Sequence, residues 1–215
     1  MHPRSTRPWL ARYGLLLALV GISLALSLAK PGFLTVSNLI NVIRQIAING
    51  ILAVGVTYVL LTGGVDLSLG SLVALSGVAA ACWAHPGEYP VVVPVLIGVL
   101  AGALCGAANG AVITWGRVAP FIVTLGMMTV ARGLALVISG GKPVSNLSRA
   151  FTTLGSADVL GIPVPALILA AVALASHLCL RHLRVGRYVY AVGGNELAAR
   201  ASGINVAGVK LFAYT

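Results

Sequence analysis

Acidic residues are nearly missing from this chain: four Asp and Glu stand against 14 Lys and Arg, and charged residues of both signs make up 8%. An ordinary soluble domain carries about 25% charged residues, so that class is excluded. Cysteine is scarce too. Cys82, Cys105 and Cys179 fall within or at the ends of apolar runs, without the paired spacings of a disulfide framework or a metal site. His177, Cys179 and His182 lie close together, but no acid accompanies them and they do not share one helical face, so no metal is expected. Aromatic residues amount to 6% and are not interleaved with the basic ones, which argues against a nucleic-acid surface. A phosphate-binding loop is lacking as well: Gly140-Gly141-Lys142 is followed by Pro143, where Ser or Thr is required. Ser68 is no nucleophile elbow, because Asp66 stands where a glycine is needed. The chain is therefore expected to have no catalytic residues and no cofactor of its own.

What is present is apolar. Hydrophobic residues reach 59%, mean hydropathy is +1.01, and there are 26 glycines, the composition of an integral membrane protein. Six runs, 13–29, 46–62, 67–84, 91–115, 121–139 and 163–180, approach the roughly 20 residues a spanning helix needs. Turn chemistry separates them at Lys30-Pro31-Gly32, Gly63-Gly64, His85-Pro86-Gly87, Gly116-Arg117 and Gly140-Gly141-Lys142-Pro143. The expected fold is all-α: one polytopic transmembrane helix bundle over 1–215, with six spans and the start of a seventh. That last run begins at Asn205 with Val206, Val209, Leu211 and Phe212, and its roughly ten residues are too few to cross a bilayer.

Basic residues give an orientation. With the amino terminus in the cytoplasm, Arg4, Arg7, Arg12, Arg117, Arg181, Arg184, Arg187, Arg200 and Lys210 lie inside, against Lys30, Arg44, Lys142 and Arg149 outside. The first run also has marks of a signal peptide, since Ser27-Leu28-Ala29 resembles a cleavage site and three arginines precede the core. Five further spans favour a retained helix.

Four features stand out within this frame. Gly98, Gly102, Gly106 and Gly110 repeat at every fourth position, a row that lets a neighbouring backbone approach closely; Asn109 beside it can add an interhelical hydrogen bond. Asn38, Asn41, Gln45 and Asn49 follow helical spacing and form an amide face, suited either to lining a path for a neutral hydroxylated solute or to lying at the membrane interface. Gly63-Gly64-Val65-Asp66-Leu67-Ser68-Leu69-Gly70 places a carboxylate between two apolar runs, where Asp66 can cap a helix beginning at Leu67 or meet a solute. Arg132 lies inside the fifth run and needs a partner or water; Asp66 is one candidate counter-ion.

The segment after the sixth run loses its continuous apolar character. Asn195 can cap a short helix there, Glu196 and Arg200 can pair at i,i+4, and Gly203 can end it, which makes either a compact knob in a cytoplasmic loop over 181–205 or a solvated connector.

Three segments together resemble the membrane subunit of ATP-binding-cassette importers for monosaccharides, the ribose, xylose and galactoside permease family. They are Gly63 to Ser71, Phe121-Ile122-Val123-Thr124-Leu125-Gly126 through Arg132-Gly133, and Gly186-Arg187-Tyr188 through Gly193-Gly194-Asn195-Glu196 to Ser202-Gly203-Ile204-Asn205. The resemblance implies that Asn195, Glu196, Ala198, Ala199, Arg200 and Gly203 form a coupling helix docking on a cytoplasmic ATPase. It implies a translocation path, for which Asn41, Gln45, Asn49, Asp66, Ser68 and Arg132 are the candidate lining. The implied partners are an ATPase subunit that binds ATP, a periplasmic or lipid-anchored sugar-binding protein, a second permease subunit forming a homodimer, and the bilayer of the bacterial inner membrane. Because family members continue through further spans, the chain is expected to be an amino-terminal portion. Other readings stay open at this stage: a nucleoside, branched-chain amino acid or signalling furanose as cargo, a secondary transporter or channel, or a truncated membrane fragment that does not transport.

Overall fold

Hydrocarbon offers no partners to a peptide group, so a spanning segment must close its own hydrogen bonds, and this chain does so with helices. The computed structural model describes residues 8–215; Arg4 and Arg7, which enter the orientation argument, lie outside the described residues, as does the side chain of Arg12. In chain order the elements are α1 (Pro8–Ala29), α2 (Val36–Leu61), α3 (Leu69–Ala81), α4 (Val92–Thr114), α5 (Pro120–Ser139), α6 (Arg149–Ser156), β1 (Asp158–Val159), β2 (Ile162–Pro163), α7 (Val164–His182), α8 (Arg184–Gly194), α9 (Glu196–Ala201) and α10 (Val206–Tyr214). The protein is a polytopic helical membrane protein, with a two-residue antiparallel hairpin as the one sheet among the described residues.

The chain divides into two compact units, Met1–Gln45 and Ile46–Thr215. In the first, α1 ends at a turn where Phe33 N donates to Lys30 O, and the Asn38 side chain donates to Phe33 O at 2.7 Å, fixing the start of α2. In the second, α3 packs against both α4 and α5, and α10 packs against α4. Leu72 and Leu75 of α3 meet Ala131 and Ala135 of α5, and the small alanines permit that approach. Another core joins Val189 and Val192 of α8 to Ala199 of α9 and to Val206 and Val209 of α10.

Among the described residues, α2, α4, α5 and α7 are long and apolar enough to cross a membrane, whereas Tyr13–Ala29 and Leu69–Ala81 are shorter apolar helices. The third run is the informative departure. Expected as a span over 67–84, it forms a helix of 13 residues, about 20 Å long at 1.5 Å per residue, against a hydrocarbon core of about 30 Å. Its helix begins at Leu69 rather than Leu67, because the preceding residues are held in an irregular turn. Two further elements, α6 and the hairpin, occupy a region with no apolar run. Ser148 caps α6 by accepting from Phe151 N, and Leu160 and Gly161, both at positive φ, make the two-residue hairpin turn.

Large apolar side chains cover the outside of the helices. Leu104 of α4 is 69% exposed and Val137 of α5 is 78% exposed, whereas Ala131 on the inner face of α5 is wholly buried. Surfaces of this kind are stable against lipid and unstable against water.

Candidate functional site

The break before α3 begins where α2 ends. Gly63 takes φ +76°, so Gly64 N can reach back to Val59 O at 3.0 Å while Gly63 N bonds Leu60 O at 3.0 Å. This is a Schellman closure, and glycine is the residue that adopts the left-handed conformation at little cost. The same pair of bonds ends α5 at Gly140 and α9 at Gly203.

Past that closure the chain runs irregularly to Ser68, with Gly64 and Ser68 buried and Val65 and Leu67 exposed. A side chain at Gly64 would collide with the Tyr214 hydroxyl of α10, and that hydroxyl donates to Val65 O at 3.3 Å. One Asp66 carboxylate oxygen accepts from Ser68 N at 2.7 Å and from Ser68 Oγ at 2.6 Å. Asp66 therefore holds the turn ahead of α3 and does not cap a helix starting at Leu67. Ser68 is wholly buried, and its Oγ accepts from Asn109 Nδ2 of α4 at 3.1 Å. Asn109 is buried too, with its Oδ1 lacking a hydrogen-bond partner. A chain of polar contacts thus links a half-buried carboxylate to the carboxy-terminal third of α4, satisfying polar groups that burial would otherwise leave unpaired.

The glycine row beside Asn109 serves two neighbours. Side chains at Gly98 and Gly102 would press on Ser76 of α3, at 3.2 Å in each case, while at Gly106 a Cβ would strike the Tyr214 carbonyl and at Gly110 it would lie 3.0 Å from Leu211 Cα. One end of the row seats α3 and the other seats α10.

Of the other path candidates, Asn41, Gln45 and Asn49 are exposed on α2, with Asn41 accepting from Arg44 at 3.4 Å. Arg132 is exposed on α5. Among the described residues no ion pair joins Arg132 to Asp66, whose carboxylate is engaged by Ser68.

The second cluster lies on α8, α9 and α10. Asn195 accepts from Ala198 N at 2.9 Å, capping α9. Ala199 is 4% exposed and roots the short helix in the α8–α10 core, while Leu197 is 80% exposed and points away from it. Glu196 receives Arg200 at 3.1 Å and, through its other oxygen, Lys210 of α10 at 2.7 Å. The Lys210 hydrogen bond outweighs partial desolvation and, with the two positive charges, holds the Glu196 carboxyl below the usual range. Sequence spacing exposes the Arg200 pair. Lys210, 14 residues along and on another helix, has no such signal. Neither does Tyr214 as a clamp on Val65; the sequence marks Asn109 for a hydrogen bond between segments, but only the fold gives its partner, Ser68.

A short apolar helix packed against longer ones, with α10 tied both to the irregular segment before that short helix and, through Lys210, to the capped α9, is the frame of a polytopic helical membrane protein. Residues 38–215 match the family model described as the branched-chain amino acid transport system / permease component, and the chain belongs to that family. It is similar to the ribose import permease protein RbsC of Escherichia coli (strain K12), with 42% identity over 214 residues, 98% of this chain and 66% of the relative. The ribose import permease protein RbsC of Bacillus subtilis (strain 168) is 45% identical over 206 residues, 95% of this chain and 64% of that protein. The L-arabinose transport system permease protein AraH of Escherichia coli (strain K12) is 36% identical over 203 residues, 94% of this chain and 62% of that protein. The chain thus spans just under two thirds of the length of these relatives. No solved structure matches it.

Proposed function

We propose that this chain is the permease subunit of an ATP-binding-cassette importer and supplies the path for a monosaccharide such as ribose. The observation that carries the reading is the pairing of the short third apolar helix, preceded by an irregular segment, with a capped knob rooted in the same helical unit. The family description also covers branched-chain amino acid transport, but the relatives at 36–45% identity are named for ribose, allose and arabinose, which favours a sugar.

In this reading the permease performs no covalent step and holds no cofactor. A cytoplasmic ATPase subunit binds ATP and grips α9 through Leu197 and Ala198, while Ala199 transmits its displacement to α8 and α10. Because α10 clamps the irregular segment at Gly64 and Val65, a shift of α10 would move the break before α3. Alternating access follows if that break opens to one side at a time. The amino terminus is cytoplasmic, the membrane is a bacterial inner membrane, a binding protein delivers solute from outside, and a second permease copy completes the pore. The amides at Asn41, Gln45 and Asn49 have the donors and acceptors that sugar hydroxyls need.

The test is ATP hydrolysis by the complete assembly in vesicles, assayed across pentoses and hexoses with and without the binding protein. Stimulation is expected only when the binding protein and its sugar are both present. Equal activity without the binding protein would count against the proposal.

A further inference from the structure

A cleft of about 700 Å³ opens between the α4–α5 turn and the α9–α10 segment. Three cations line it, Arg117, Arg200 and Lys210, against the single carboxylate of Glu196. Both oxygens of that carboxylate are already engaged, by Arg200 and Lys210, and Arg117 has no hydrogen bond or ion pair among the described residues. The cleft therefore carries unmatched positive charge.

Its depth is defined by its walls. Thr114 is the last residue of α4 and Pro120 the first of α5, two helices long and apolar enough to cross the membrane, so the cleft lies where their hydrocarbon-spanning lengths end. Lipid phosphates occupy that level. Beside the charged groups the wall carries polar Thr114 and Asn205 and apolar Ile113, Val118 and Val206, a mixed lining that suits a molecule with an anionic head and a hydrocarbon body.

Arg117 adds a second sign of a built site. Its φ is +53°, in the left-handed region that a side chain adopts only at a cost of about 1–2 kcal/mol. Glycine would sit there without strain, yet an arginine is present. Backbone strain of this kind tends to be kept where the side chain's position matters.

We propose that this cleft holds the phosphate headgroup of an anionic phospholipid, with Arg117 as its main unshared contact. Arg200 and Lys210 set the field around the phosphate while they remain tied to Glu196. The lipid would then fill the space between the α4–α5 turn and α9, next to the knob assigned to coupling. The inference rests on α4 and α5 crossing the bilayer and not on the identity of the transported solute.

The test uses the full chain purified from vesicles of mixed phosphatidylglycerol and phosphatidylcholine, with retained lipid counted by native mass spectrometry. The wild type is expected to keep phosphatidylglycerol in preference to phosphatidylcholine. Arg117→Gly removes the charge but relieves the left-handed strain, so its thermal unfolding is expected at or above the wild-type temperature while phosphatidylglycerol retention falls about fivefold. Arg117→Lys is expected to keep most of the preference. Equal retention by wild type and Arg117→Gly would overturn the proposal, as would equal retention of both lipids by the wild type. Displacement of the lipid by inorganic phosphate at matched headgroup concentration would overturn it in favour of a free anion. Loss of ATPase copurification in Arg117→Gly with lipid retention unchanged would overturn it in favour of a protein partner.

Discussion

At Ser68 two hydrogen-bonded partners meet in a site closed to water: Asp66 accepts from its hydroxyl, and Asn109 donates to it. Ser68→Ala strands the Asn109 amide, and losing a buried partner costs about 1–3 kcal/mol. Thermal unfolding in detergent should show a loss of that size, and a change below about 0.5 kcal/mol would mean the chain of contacts does not hold the break. Glu196 makes a different prediction. Its folded-state pKa is lowered, so its ion pairs stabilise the protein above the ordinary glutamate range, and that contribution disappears as pH falls through the folded-state value. The side chain is 40% exposed, so solvent screening keeps the pairs near 0.2–1 kcal/mol, an order-of-magnitude figure. Protection of the amides across 195–205, taken as the exchange rate relative to the intrinsic rate at each pH, should fall on acidification in the wild type, whereas Glu196→Gln should be less protected at neutral pH and change little with acid.

Helices are the scale at which the glycines act. At Gly106 a methyl group would meet the carbonyl of Tyr214, which is backbone and cannot rotate away, so Gly106→Ala is expected to cost about 1–3 kcal/mol by pushing α10 off α4. Gly102→Ala meets only the Ser76 hydroxyl and should cost less, and Gly14→Ala, with nothing within 4 Å, should be neutral or slightly stabilising. Equal losses at Gly102 and Gly106 would remove the distinction between the two ends of the row. Gly203→Ala tests the end of α9, where φ is +80° and a Cβ costs about 1–2 kcal/mol. Much of this was legible beforehand. The four-residue repeat announced close packing, and Asn195, Glu196 and Gly203 marked a capped helix. The shortening of α3 was not, because hydropathy continues through Leu67 while the backbone stays irregular until the helix starts at Leu69. Nor was α6, whose eight residues carry no apolar run long enough to register.

For the molecule as a whole, composition made the membrane evident, since neither the charge density nor the exposed aliphatic surface is compatible with water. Contacts between distant segments stayed hidden. Tyr214 reaches Val65 across 149 residues and Lys210 reaches Glu196 from another helix, pairings fixed by tertiary packing rather than by any local period. They tie α10 at once to the break before α3 and to the knob at α9, giving the proposed importer a mechanical connection. In that proposal the contact point with the energy source is Leu197, which is exposed on α9. A photo-crosslinking amino acid placed at Leu197 in the complete assembly addresses this directly. An adduct with the ATPase subunit is expected, and one with the extracytoplasmic binding protein, or none with the ATPase, would contradict it.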